Sequence, residues 1–267
     1  VTTPTRQRVE QVLLPLLGVG LVLLAFEIAP RVGILPRQSF PPVSEIFTTL
    51  AGLATTGEFW SAVGRTLDGW LRAMLIATAI AVPLGMLMGA TKAGALVLRA
   101  PVEFLRPIPS VALIPILILL YGTQGPALKI ALGVFGATFP LLFQASYGIA
   151  DIDPVARDTV RAFGLGPGDR MRQLVLPTMA PYLATGLRLS AAVALILVVT
   201  GEYIVGVPGL GREVLSAQSA GAYARMYALI VAAGVLGLLV NALLQAGERR
   251  VLHWHPSQRG VVAGGVA

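Results

Sequence analysis

The apolar positions of this chain gather into six long runs, at roughly 11–29, 66–90, 101–121, 125–148, 178–201 and 225–247. Each approaches the length of about 20 mostly apolar residues that carries a helix across a bilayer. Lipid offers backbone amides no water to bond, so such runs predict helices rather than strands. The third run is marked by its prolines: "RPIPSVALIPILILL" holds Pro107, Pro109 and Pro115. Each removes an amide donor and crowds the preceding turn, which predicts a bent span. The first run follows Arg6 and Arg8 but ends without a small-residue cleavage pattern, so it reads as a retained span rather than a leader.

Two stretches between the runs carry patterns of their own. In "PPVSEIFTTLAGLATTGEFW", Val43, Ile46, Phe47, Leu50 and Leu53 recur at three- and four-residue spacing. This is one apolar stripe on a helix too short to span, which either lies along a membrane surface or packs against the bundle. In "GEYIVGVPGLGREVLSAQSAGAYAR", Gly206, Pro208, Gly209 and Gly211 predict a shaped loop.

The segment 151–177 is the most elaborate connection. Asp153 followed by Pro154 is a helix start, with the carboxylate accepting an amide hydrogen bond and the proline in the first turn. Ala156, Val160 and Phe163 then share a face, and Gly164 stands where a helix would end in the left-handed conformation. After "GLGPGD", Asp169 can cap a second short helix, with Met171, Leu174 and Val175 as its apolar side and Pro177 as its end. Two helices this short are unstable alone in water. They pack either into a groove on another protein or back beneath their own bundle.

Composition narrows the class. The chain is 55% hydrophobic and 12% charged, against roughly 25% charged residues in soluble domains. An all-α, polytopic integral membrane protein with about six transmembrane helices follows. It has a tail over 1–10, a single membrane domain over 11–250 and a second tail over 251–267. The net charge of +7 is spread singly between apolar runs, without the basic stripe that nucleic acid requires. With the N-terminus inside, the inner segments hold Arg6, Arg8, Lys92, Arg99, Arg157, Arg161, Arg170, Arg172, Arg249, Arg250 and Arg259. The outer ones hold Arg31, Arg37, Arg212 and Arg225, with Arg65 and Arg72 at the entrance to the second span. The bias predicts both termini in the cytoplasm and segment 151–177 on that side.

Little else points to chemistry. "GLGPGDR" and "GVPGLGR" lack the lysine and hydroxyl residue of a phosphate-cradling loop. His253 and His255 flank Trp254 without a carboxylate or cysteine cluster, which reads as a membrane anchor rather than a metal site. Ser146 and Ser190 have no histidine partner within a span, so no hydrolase constellation forms. Glu27, Arg106, Lys129, Arg188 and Glu202 lie near membrane depth, where charge is costly. Snorkelling to an interface accounts for each. Arg106, Pro109 and Ser110 at the bent span, and Arg188 beyond Pro177, are also candidates to edge a pathway, and a cationic lining suits an anion.

"DTVRAFGLGPGDRMRQLVLP" resembles the EAA motif of ABC-importer permeases, E-A-A-x-x-x-G followed by I-x-L-P. Asp158, Thr159 and Val160 stand at the E-A-A positions, Gly164 at the glycine, and the closing element ends at Pro177. Asp replaces Glu, and both alanines are lost. The segments "LRPIPSVALIPILILLYG", "FGATFPLLFQASYGIADIDP", "LRLSAAVALILVVTGEYI" and "RRVLHWHP" are similar to the nitrate, taurine and aliphatic-sulfonate branch. The resemblance implies a type I ABC importer permease fold in a bacterial inner membrane. It makes Asp158, Thr159, Val160, Arg161, Phe163, Gly164, Leu165 and Pro177 the residues that dock into an ATPase subunit. It implies gating and contact with an outer solute-binding protein around Glu202. The implied partners are a second permease, a copy of this chain, and two cytoplasmic ATP-binding subunits that hold the ATP and magnesium, so this chain carries no cofactor. A secondary transporter or channel working without an ATPase is the alternative from another class.

Overall fold

The structure, a computed structural model, describes residues 4–253. Trp254, His255 and Arg259 lie outside these residues, as do the side chains of Arg6 and Arg8. Among the described residues there is no strand. Among these residues five helical stretches are long and apolar enough to cross a membrane, or six if a pair bent by 87° counts as one span. Two compact units divide the chain: one runs to Ser61 and includes Glu213–Ala232, and the other holds Ala62–Arg212 and the chain from Ala233 on.

In the first unit, α1 (Pro4–Arg31) leaves its apolar side chains from Leu13 to Phe26 exposed, as a lipid-facing helix would. Its last turn organises α2 (Val43–Leu53). The N-cap of α2 is Pro42, which has no capping side chain. Glu27 takes that role, accepting from the Ser44 amide and hydroxyl, each at 2.9 Å, and pairing with Arg31. A carboxylate at a helix N-terminus satisfies an amide that the helix itself cannot. The stripe on α2 is real: Val43, Ile46, Leu50 and Leu53 are half-buried, while Phe47 is exposed.

In the second unit, α3 (Gly57–Ala90) runs most of its length, so Arg65 and Arg72 both lie within a helix, and Arg72 pairs with Asp68 at 2.9 Å. The proline-rich run departs from a single bent span. Helix α4 (Lys92–Leu105) starts well before 101, the chain turns by 87°, and a 3-10 turn (Ser110–Leu113) leads into α5 (Ile114–Tyr121). Pro107 and Pro109 remove two donors within three residues, so the helix stops. Pro115 falls in the first turn of α5, where the missing amide costs nothing.

Helices α6 (Ala127–Ala150) and α9 (Leu176–Val205) form the spine of this unit, with α3 against α6 through Gly85 and Gly89. The interfaces are built from small residues. Ala77, Ala137, Ala191 and Ala194 share one cluster, and a Cβ on Gly85 or Gly89 would meet the backbone of Leu142 or Ser146. Close approach compensates for the absence of a hydrophobic drive between helices in lipid. Two hydrogen bonds lock the contact: Trp70 Nε1 donates to Ala191 O at 3.0 Å, and Ser190 Oγ to Ala137 O at 2.6 Å.

Candidate functional site

Between α6 and α9 the chain forms α7 (Pro154–Ala162) and the short α8 (Pro167–Arg170). The Asp153 carboxylate accepts from the Val155 amide at 2.8 Å, as the sequence predicts. At the far end Gly164 is left-handed, with φ +67°. Its amide bonds Arg161 O, and the Leu165 amide bonds Val160 O, which closes the last turn. Arg170 Nε caps the corner from outside by donating to Leu165 O at 2.7 Å.

Three details differ from expectation. Phe163 leaves the face of Ala156 and Val160: it is the C-cap residue and 79% exposed. Asp169 is not the cap of the second helix, because Gly166 occupies that position and Pro167 opens the first turn. Pro177 does not end the helix. A π-turn (Met171–Val175) carries the chain into α9, with the Leu176 amide reaching back five residues to Met171 O. The widened turn removes the clash that a proline ring would make with the preceding carbonyl. From Pro167 on, segment and span are therefore one continuous helical path.

No residue of α7 is buried, and Asp158, Thr159, Arg161 and Phe163 stand exposed with Val160 and Leu165 half-buried. The Asp158–Arg161 pair at 3.4 Å is equally open. The segment is anchored at its roots rather than along its length. Ile152 packs with Ala145, Ile149 and Met179, and Tyr182 donates to Asp151 at 2.8 Å. The helix thus has a buried footing and a bare apolar tip at Phe163.

The pathway candidates separate. Arg106 lies over the Phe143 ring, 4.9 Å from its centroid, in a cleft shared with Arg99, Glu103 and Tyr147. Pro109 is exposed and Ser110 half-buried at the bend between α4 and α5. Arg188 faces Glu248 of α10 (Tyr223–Val251) at 3.6 Å instead.

Glu202 overturns the snorkelling expectation, and so does Lys129. Neither reaches an interface: they are 0% and 2% exposed and pair at 2.6 Å. The Lys129 ammonium spends its remaining donors on Arg65 O at 2.9 Å and Pro208 O at 2.8 Å. Thr66 donates to the Glu202 carboxylate and accepts from the Leu210 amide at 2.9 Å, while the Gly211 amide reaches Glu202 Oε2 at 3.1 Å. A Cβ on Gly209 would overlap the carboxylate itself. The sequence signal was present, two opposite charges in separate spans beside a glycine loop, but spacing alone does not pair them.

Against known proteins, the family model described as binding-protein-dependent transport system inner membrane component matches residues 81–253. A probable ABC transporter permease protein of Brucella melitensis biotype 1 is 28% identical over 250 residues, covering 90% of this chain and 98% of the relative. A putative aliphatic sulfonates transport permease protein of Bacillus subtilis (strain 168) is 24% identical over 241 residues, covering 90% and 87%. The fold matches an inward-facing structure of the MetNI methionine ABC transporter with TM-score 0.61 at 22% identity, over 75% of this chain and 97% of that one. A multi-pass membrane chain of this architecture, matched over most of its length, belongs to the family of binding-protein-dependent transport system inner membrane components, the permease subunits of ABC importers.

Proposed function

We propose that this permease moves a small anionic solute into the cytoplasm by alternating access, driven by two ATP-binding subunits that each receive one 151–177 segment in a groove. One observation carries the reading: α7 buries none of its residues, its left-handed Gly164 corner is exposed, and from Pro167 the chain continues as helix into α9. Asp158, Thr159, Val160, Arg161, Phe163, Gly164 and Leu165 supply the docking surface, and Pro177 sits at the π-turn where a push enters the span. ATP and magnesium belong to the partner subunits. A second copy of this chain completes the pathway, an outer solute-binding protein delivers cargo, and both termini face the cytoplasm.

The solute class rests on the sulfonate relative and on cations near the bend. Arg106, with Pro109 and Ser110 beside it, and Arg188, which is part-exposed beside Glu248, are the residues that would meet an anion such as a sulfonate, taurine, nitrate or bicarbonate. Glu202 leaves that set because it is sealed in the helix interior. The test is co-purification from native membranes followed by reconstitution. ATP-dependent uptake, stimulated by the loaded binding protein, supports the reading. Uptake driven by an ion gradient in liposomes holding the permease alone would establish the secondary-transporter alternative. A thermal-shift ligand screen on the binding protein identifies the solute.

A further inference from the structure

We infer that Thr66, Lys129 and Glu202 form a latch that clamps the Gly206–Gly211 turn to α3, α6 and α9, so that turn and spans move as one body during transport. The geometry is that of a closed polar network. Lys129 has three donors and three acceptors, one on Glu202 and two on the backbone of separate segments. The Glu202 carboxylate receives Lys129, Thr66 and the Gly211 amide. Thr66 closes the circuit by bonding Glu202 with its proton and the Leu210 amide with its lone pair.

Two backbone carbonyls and two amides thus depend on three side chains, and three of these contacts reach residues 208–211. Such a network rigidifies when complete and fails when one member is lost. Apolar packing would hold the spans together equally well, but it would leave these backbone groups unsatisfied, so only the polar set fixes the turn. Glycine is required at 209 and 211 because the turn lies directly on the latch: side chains there would run into Glu202 and the α9 backbone. The opposite end of α9 leads through the π-turn to the exposed α7 segment. A load on the Gly164 corner therefore reaches the latch through continuous helix from Pro167 to Val205. Thr66, Lys129 and Glu202 are positioning residues, acting through the turn they hold.

The coupling half of this inference rests on the importer reading above; the latch itself does not. Thr66→Val keeps the shape of the side chain and removes both its hydrogen bonds, whereas Thr66→Ser keeps them. In the permease reconstituted with its ATPase and binding-protein partners, hydrogen–deuterium exchange of the 206–212 segment is expected to rise at least tenfold in T66V and to stay at the parental rate in T66S. The α6 interior should be unchanged in both. Basal ATPase activity should match the parent in T66V, while stimulation by loaded binding protein and uptake fall about tenfold, with recovery in T66S. Parental protection of 206–212 in T66V overturns the latch. A loosened turn with full stimulation and uptake overturns its role in transport. A parent complex that shows no ATP-dependent uptake, beside a T66V turn that exchanges freely, overturns the importer reading and the coupling half with it.

Discussion

The two ends of α9 solve opposite problems with the same materials. The helix has 30 residues, about 45 Å at 1.5 Å per residue, and both ends carry glycine-broken, charged connections. At the 206–211 end the charges are sealed: Lys129 and Glu202 are buried, every donor is used, and the turn lies flat against the spans. At the 151–175 end the charges are open: Asp158 and Arg161 pair loosely in solvent, and Phe163 stands free of the bundle. Sealed charge specifies one geometry, while open charge and a bare aromatic ring leave a surface for a partner. The difference separates a part of the permease whose polar groups are satisfied from within from a part whose polar and apolar side chains stand open.

The comparison breaks most visibly at the sealed end. Lys129→Met leaves the Glu202 carboxyl buried without its cation, and strips a donor from two carbonyls. Removing one partner of a buried pair costs about 3–5 kcal/mol. The expected outcome is a large drop in thermal unfolding temperature and in the yield of purified protein. The same deletion at an exposed cation of the other end, Arg161→Met, should leave both unchanged, because exposed pairs contribute about 0–1 kcal/mol. Equal losses in the two variants would erase the distinction.

The next effect is functional. Gly164 has φ +67° with open space around it, so Gly164→Val meets no neighbour and its entire penalty is backbone strain. A left-handed L-residue costs roughly 1–2 kcal/mol, and a β-branched one lies at the unfavourable extreme. The corner should open and misplace Phe163 and Leu165. Uptake is expected to fall by about tenfold, the equivalent of 1.4 kcal/mol, while ATP hydrolysis continues. Full transport by this variant would show that the corner does not transmit the stroke.

The open end was the more legible of the two. Capping, the left-handed glycine and helix length are local properties, so Asp153, Pro154 and Gly164 could be placed from their neighbours in the chain. What was missed there was also local but subtler: Phe163 rotates off the helical face once α7 stops at Ala162, and a π-turn absorbs Pro177 where proline alone predicts a break. The sealed end was illegible for a different reason. Lys129 and Glu202 are 73 residues apart, and each alone reads as a charge reaching for an interface. Only the packing of α3, α6 and α9 brings them together. The proline run falls between these cases, since the prolines predicted a bend but not its 87° or the start of α4 at Lys92.

Phe163 gives a smaller and cleaner contrast. Its ring is 79% exposed, so Phe163→Ala removes almost no internal packing and should leave the unfolding temperature of the isolated permease at the parental value. If the ring fills a pocket on the ATPase subunit, truncation of such an aromatic anchor costs about 2 kcal/mol of binding. Titration of the ATPase subunit onto nanodisc-held permease should then show affinity weakened by more than tenfold. An unchanged affinity would move the docking surface elsewhere on the segment.

The smallest effect tests how independent the open end is. Asp153 holds the Val155 amide at 2.8 Å, and losing such a cap costs about 1 kcal/mol. Since α7 buries none of its residues, little tertiary packing can compensate, and the loss should appear as faster amide exchange confined to 154–158. Ile152, packed with Ala145, Ile149 and Met179, anchors the segment just before this helix and should keep its protection in Asp153→Ala. Addition of the ATPase subunit should restore protection to 154–158, because a groove that receives α7 supplies the order its own cap no longer provides. A variant that stays frayed in the assembled complex would mean that α7 is held by its cap alone, and that the partner touches only the glycine corner.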